Sequence, residues 1–511
     1  MKRTITKALL SVLLASAILA VLATSVFGVA SVPGSGWWTR IWVQNVGTTT
    51  ANVLVSAYDA NSTASYTASS STLGVGATWT IDPVQFANMP AGFAGSGVVS
   101  SDQPIVAVTA MQNIKLGALG VTGGKAIADY NGVSAPSKTV YFPTVKNNYG
   151  AFTTIFYVQN AGSVPTTFTA DFVMFANLSV HYNTTTAVVQ PNQMIAILPG
   201  DAGVPSTGSA TMANFGYGNI TANDAQGLIS AVWFEYPINQ NPMLIIRGTS
   251  GFTSADFGNT GFVGVAKNNY ARERTSIQLI NAESVENTVT INYVGTAFAP
   301  GSQNCVGQVY TDTVVLAPNA GTIQQQFTGT TFPAGCLGAA TLHGTGQFMA
   351  LGNEGYVPGT APLQSGAKAG MLGNAKLVVA APLFFDDRLL AIDGTTKNVR
   401  NGFFVQNTSP TDVAHVVAVF KCAAFSGTST QTGVFTATTT SIAINPGTAL
   451  LLRRPFEDQA FYFVGGTPFP QGNASCAVTV TSSDQLLVGW VSQSEMTNGT
   501  DKAMYEAFGL P

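Results

Sequence analysis

Along most of this chain, apolar and polar positions alternate with a period of two rather than 3.6. The clearest stretch is Arg40-Ile41-Trp42-Val43-Gln44-Asn45. It returns as Ile155-Phe156-Tyr157-Val158-Gln159-Asn160, as Ile277-Gln278-Leu279-Ile280-Asn281, and as Phe403-Phe404-Val405-Gln406-Asn407. Two and four positions before each asparagine the residue is always apolar: Val43 and Ile41, Val158 and Phe156, Leu279 and Ile277, Val405 and Phe403. That is the burial period of a pleated strand with one face on a core. The asparagine reads as the stop, because Asn tolerates turn geometry. A polar loop follows, and then a second alternation: Val53, Val55 and Ala57; Phe168, Ala170 and Phe172; Val289, Ile291 and Tyr293; Val417 and Val419. Two strands joined by a short loop predict an antiparallel pair, four times over.

The four asparagines stand 115, 121 and 126 residues apart, a spacing that predicts related domains in tandem. Turn signals recur inside each period, at Gly74–Gly76, Pro191-Asn192, Pro318-Asn319 and Asn445-Pro446-Gly447. About seven short strands per period, with a turn every 8–12 residues, is the pattern of an immunoglobulin-like sandwich. A small barrel is the alternative fold. The expected organisation is all-β: a signal segment at 1–30, then β-sandwich repeats at 31–137, 138–257, 258–373 and 374–511. Repeats two to four open with an extra strand, at Thr139–Val145, Gly261–Val265 and Leu377–Leu383, and the first two of these run on into Lys-Asn-Asn-Tyr. The first repeat has no such strand once the signal is removed. At the other end, Lys502–Gly509 echoes Lys125–Gly132, the stretch that leads into repeat two. One expectation is therefore a head-to-tail filament, with the open sheet edge of repeat one pairing with another chain. The other is that Ser31–Trp38 bends back and closes the sheet itself.

Composition places this pattern in a compartment. The first residues, Met1-Lys2-Arg3 through Lys7, are basic, and Ala8–Ala23 is apolar. Gly28-Val29-Ala30 offers small residues for cleavage near Ala30, so the chain reads as exported. No later segment approaches the length of a membrane-spanning helix. Charged residues make up 9% of the 511, and the net charge is −3. This leaves no electrostatic footprint for nucleic acid. Cys305 and Cys336 fall in repeat three, Cys422 and Cys476 in repeat four. Pairing within repeats is the simplest of three connectivities. A four-cysteine metal site is the alternative, without ligand spacing to favour it.

Candidate chemistry is sparse. His181, His343 and His415 lie in different repeats with no repeated partner. Asp386-Asp387 has the oxygens for Ca²⁺ but lacks the spacing of a binding loop. Asp102 and Asp484 sit in one shared turn, Ser-Asp-Gln, and read as bonding their own backbone. No nucleophile elbow, phosphate loop or zinc-hydrolase helix is present, so no enzyme, cofactor or metal is expected. On the outward column of the signature strand stand Trp42, Tyr157 and Phe404, with Trp79 nearby. These aromatics either stack on sugar rings or are covered by the second sheet or a neighbouring repeat. Seven Asn-x-Ser/Thr sequons occur, at Asn61, Asn177, Asn183, Asn219, Asn407, Asn473 and Asn498.

With its exported start, its repeated Val-Gln-Asn strand and its uncharged Thr/Gly/Asn composition, the chain resembles the tandem β-sandwich proteins that prokaryotes export to their surfaces. These include S-layer, sheath, filament and adhesin proteins. The resemblance implies an extracellular or cell-surface structural or adhesive protein that associates with itself or with cell-surface components. The alternative is a carbohydrate-binding surface protein that takes glycans on Trp42, Trp79, Tyr157 and Phe404.

Overall fold

A computed structural model describes residues 31–206, 210–270, 272–296, 304–325, 329–356, 365–371, 375–453, 472–495 and 502–510. The signal segment expected at 1–30 lies outside them. The chain is all-β with several sheets; among the described residues the only helical elements are four short 3₁₀ turns.

The second quarter shows the strand plan in full. Its opening strand Thr139–Lys146 is followed by the signature strand Phe152–Asn160, and then by Phe168–Met174, Asn177–Thr185, Met194–Ile197, Phe215–Ala222, Ile229–Pro237 and Arg247–Ser250 as third to eighth. One sheet runs fourth–third–sixth–opening, and the facing sheet runs fifth–signature–seventh–eighth. The fourth quarter repeats this order. Thr430–Thr438, Ala414–Ser426, Ala474–Ser482 and Val378–Asp386 lie in one sheet, and Ala449–Leu452, Thr395–Asn407, Leu487–Glu495 and Lys502–Glu506 in the other. In the third quarter the sixth and seventh strands run on as one, Cys336–Tyr356. Its first half pairs with Gly258–Asn268 and Asn287–Gly295, its second with Glu273–Asn281 and Ser365–Met371.

Among the described residues, the first quarter follows the same plan with one strand fewer. Ser65–Leu73, Ala51–Asp59 and Gly95–Ser101 form a three-stranded sheet, against a four-stranded sheet of Thr78–Ile81, Trp38–Asn45, Ile105–Gln112 and Ile127–Asn131. Among the described residues, Gly95–Ser101 pairs only with the third strand. Ser31–Trp37 does not close that edge.

This strand order departs from the immunoglobulin one. There, the first strand lies beside the second, and the last beside the sixth. Here the opening strand lies beside the sixth and the seventh beside the signature strand, so the two have exchanged sheets. The period-two reading identifies the buried face: Val43, Val158 and Val405 are fully buried and Leu279 nearly so, as are Phe156, Ile277 and Phe403. Both disulfides join cysteines within a quarter, Cys305–Cys336 and Cys422–Cys476.

The quarters also pack on one another in a closed cycle. The eighth strand Ile127–Asn131 lies against Arg247–Ser250 and against Lys502–Glu506, and Ser365–Met371 lies against the same two. Four equivalent strands thus surround one axis, and the first quarter touches the fourth. Phe508–Leu510 pairs with Val378–Ala380 of its own quarter.

Candidate functional site

The most repeated constellation in the molecule is the signature asparagine. Asn45, Asn160, Asn281 and Asn407 are at most 1% exposed. Each side-chain Nδ2 donates to two backbone carbonyls. For Asn45 these are Thr49 at 2.7 Å and Leu73 at 2.9 Å; for Asn160, Val164 at 2.7 Å and Val189 at 3.0 Å. Asn281 and Asn407 do the same with Val285 and Ala317, and with Asp412 and Ile444. Each Oδ1 accepts a backbone N–H two residues on, from Gly47, Gly162, Glu283 and Ser409. The asparagine is therefore not a surface turn former but a buried clip, which holds the following loop to the backbone at or just beyond the end of the fourth strand. It meets a backbone demand that would otherwise go unpaired in the core. Asn407 has no surface at which its sequon could carry a glycan.

The second constellation is the seam between successive quarters, and the mid-repeat turn makes it. These turns need positive φ, found at Gly76, Asn192, Asn319 and Gly447. Each turn docks on the preceding quarter. Ser96 Oγ donates to Asn192 O, and Gln193 Nε2 donates to Ser62 O at 2.7 Å. Tyr217 Oη donates to Asn319 O at 2.8 Å. Gly447 packs on Val294, and Lys421 Nζ of the fourth quarter donates to Val75 O of the first. At three of the four seams a described opening strand also lies against the next signature strand: Thr144 Oγ1 donates to Gln278 Oε1, and Phe385 meets Trp42 edge-on at 6.4 Å.

This packing accounts for the outward aromatics. Trp42 is 4% exposed and Phe404 6%, each covered by the preceding quarter or, for Trp42, by the fourth. Neither presents a ring face to a sugar. Tyr157 is only partly buried and accepts from Val32 N at 3.1 Å, and Trp79 is half-buried against the first core. A small cavity at the third seam, lined by Val263, Val265, Glu354, Trp490 and Met504, has room for about one water molecule.

Buried charge is confined to a few places. In the second quarter Lys146 Nζ meets Glu235 Oε2 at 3.0 Å, and Arg247 approaches the same oxygen at 3.3 Å. In the third, Lys267 contacts Glu273 at 2.6 Å and Glu354 at 3.0 Å. Burial draws the Lys146 ammonium below its usual range, while Glu235 opposes the shift. Asp129, on the eighth strand of the first quarter, is 1% exposed, and neither carboxyl oxygen has a hydrogen-bond donor. Burial alone pushes its pKa up to about 8.

The remaining candidates are dispersed. His181 pairs with Asp171 at 2.9 Å on an exposed strand, and His343 lies 3.5 Å from Thr260 Oγ1. One extra residue in the loop before the third strand turns His415 outward, where Asp484 meets its Nδ1 at 2.6 Å. Asp484 and Asp102 do not simply close their own turns. They accept the backbone N–H of His415 and of Asn52 across the sheet. The His415 side chain, above all, holds the Asp484 carboxyl down at about 2. Asp386 is buried, and Asp387 is held by Arg400 at 2.5 Å. Among the described residues no three His, Cys, Asp or Glu side chains converge as metal ligands. None of the described helices is long and apolar enough to cross a membrane. No protein-family model matches the chain, and no curated protein matches it significantly.

Proposed function

We propose that this chain is an exported structural protein of the cell surface, in which four β-sandwich modules form one closed building block that polymerises through its outer edges. The modules are read at 31–137, 138–257, 258–373 and 374–511. Their size is that of immunoglobulin-like domains, with the edge strands exchanged as described. Export is supported by the basic-then-apolar start at Met1–Ala23 and by two disulfides, which persist in oxidising compartments.

The observation that carries the reading is the state of the fourth strands. Among the described residues, Ser65–Leu73, Asn177–Thr185, Val309–Leu316 and Thr430–Thr438 each form the edge of a sheet. Between them they contain one acid, Asp312, and no Lys, Arg, Glu or Pro. Such residues are what proteins commonly place on an edge to stop it pairing with another chain. Instead these edges expose apolar side chains: Val180 at 38%, Val309 at 60% and Val434 at 78%. An unprotected, hydroxyl-rich edge is a template for lateral pairing.

Electron microscopy and sizing of the purified, exported protein at high concentration test this. Regular polymers are expected, and the double variant Val180→Lys, Val434→Lys should shift the population to monomers. A wild type that stays monomeric under the same conditions would contradict the proposal.

A further inference from the structure

We propose that two copies of this chain join edge to edge through the fourth strand of the last quarter, Thr430–Thr438, running antiparallel about a two-fold axis at Val434. The contact rests on the reading that these edges polymerise, and makes one of them a symmetric joint.

Gly433 is the residue that points there. Glycine weakens a strand interior, and it is placed where the backbone needs positive φ or where another group comes close. Gly433 has no positive φ, and a Cβ built on it meets no atom within 4 Å. Among the described residues, then, nothing in its own chain calls for glycine. Its neighbour Val434 is 78% exposed, more than any other large apolar side chain among them. Phe435 is half-buried against the core.

The backbone offers the matching hydrogen bonds. Thr439 N donates inward to Ala418 O at 2.9 Å, and the register is regular from Thr438 back to Gly433. Bonding direction alternates along an antiparallel ladder, so the N–H and C=O of Val434 and Thr436 point out of the sheet. A two-fold axis at Val434 lets each copy's Val434 N–H donate to the Val434 carbonyl of the other. On the outer face it sets Val434 against Val434, and Thr436 against Thr432, where the strand bulges and the ladder ends. On the inner face it sets each Phe435 opposite Gly433 of the second copy, so that the ring lies over a residue with no Cβ.

The strand contains no charged residue, so self-pairing opposes no like charges. The other edges fit such an axis less well. A two-fold at the middle of Asn177–Thr185 sets His181 against its own copy, and one at the middle of Val309–Leu316 sets Asp312 opposite or diagonal to itself. Ser65–Leu73 has no exposed large apolar side chain among the described residues. An isologous contact closes on itself, so this joint makes pairs, and a polymer of pairs uses a second edge.

The purified full-length chain provides the test. Its four cysteines are paired in disulfides, so Val434→Cys introduces the one free thiol. Oxidation should convert this variant to a covalent dimer, read as a doubled intact mass that reduction reverses. Thr438→Cys is the control: it stands four residues from the axis, its two copies lie about 26 Å apart, and it should stay uncrosslinked. Gly433→Val puts its side chain into open space in the monomer but occupies the place of the second copy's ring. It should not lower the thermal midpoint, yet it should raise the dimer dissociation constant by about 10-fold or more. A Val434→Cys variant that cross-links no better than Thr438→Cys, or a Gly433→Val variant that dimerises like the wild type, would overturn the joint. Polymers that persist beside either result leave the reading of polymerising edges standing. A wild type that stays monomeric at high concentration overturns both.

Discussion

The signature asparagine and Asp129 are buried polar side chains with opposite consequences. Asn160 satisfies three backbone groups and keeps its own amide fully bonded, so a core tolerates it at each repeat. Asp129 finds no donor, and an unpaired carboxylate in apolar surroundings takes a proton instead. Its folded pKa of about 8 lies above the 3.8 of the free side chain, so the folded state binds the proton more tightly than the unfolded chain. The stabilisation linked to that proton is complete below about pH 4 and is lost as pH rises through 8. Denaturant midpoints measured from pH 4 to 9 should therefore fall more steeply in the wild type than in Asp129→Asn, which stays neutral throughout. Parallel curves for the two proteins would show that Asp129 ionises freely.

At the scale of strands, the period-two pattern made the buried face legible. Val43, Val158, Leu279 and Val405 could be assigned to the core because alternation has only two phases. The turns at Asn192 and Asn319 were legible as well, since Pro-Asn punctuates a strand run. The clip role of the asparagines was not, because the carbonyls they bind, such as Leu73 and Val189, lie 28 and 29 residues away. Nor was the exchange of the opening and seventh strands between sheets, since alternation does not say which neighbour a strand takes. The disulfides act at this scale too. Cys422 and Cys476 sit directly opposite each other on the third and sixth strands, and Cys336 begins the long strand of the third quarter. Closing loops of 31 and 54 residues should stabilise the fold by about 4 kcal/mol each in the chain-entropy model. Reduction is expected to lower the thermal midpoint, with protection lost first over 414–426 and 474–482 while 168–174 and 215–222 hold. Uniform loss across all four quarters would mean that they unfold as one unit.

For the whole molecule, the decisive feature is that the contact between the fourth and first quarters uses the same parts as the contacts between sequence neighbours. Trp42 meets Phe385, Gln44 Nε2 reaches Thr479 Oγ1 at 3.5 Å, and Asn131 Nδ2 donates to Glu506 O at 2.9 Å. Three of the four residues on the polar side of the signature strand, Trp42, Tyr157 and Phe404, were legible as large aromatics, but their partners lie in another repeat, and in the last seam hundreds of residues away. A sequence read one period at a time therefore left a sugar ring and protein cover as alternatives, without naming the covering residues. A ring of this kind is a compact body, quite unlike an extended stalk of four modules. Small-angle X-ray scattering of the monomer distinguishes the two directly. The closed arrangement predicts a radius of gyration of about 23 Å. A value of roughly 40 Å, as expected for four such modules set end to end, would contradict it.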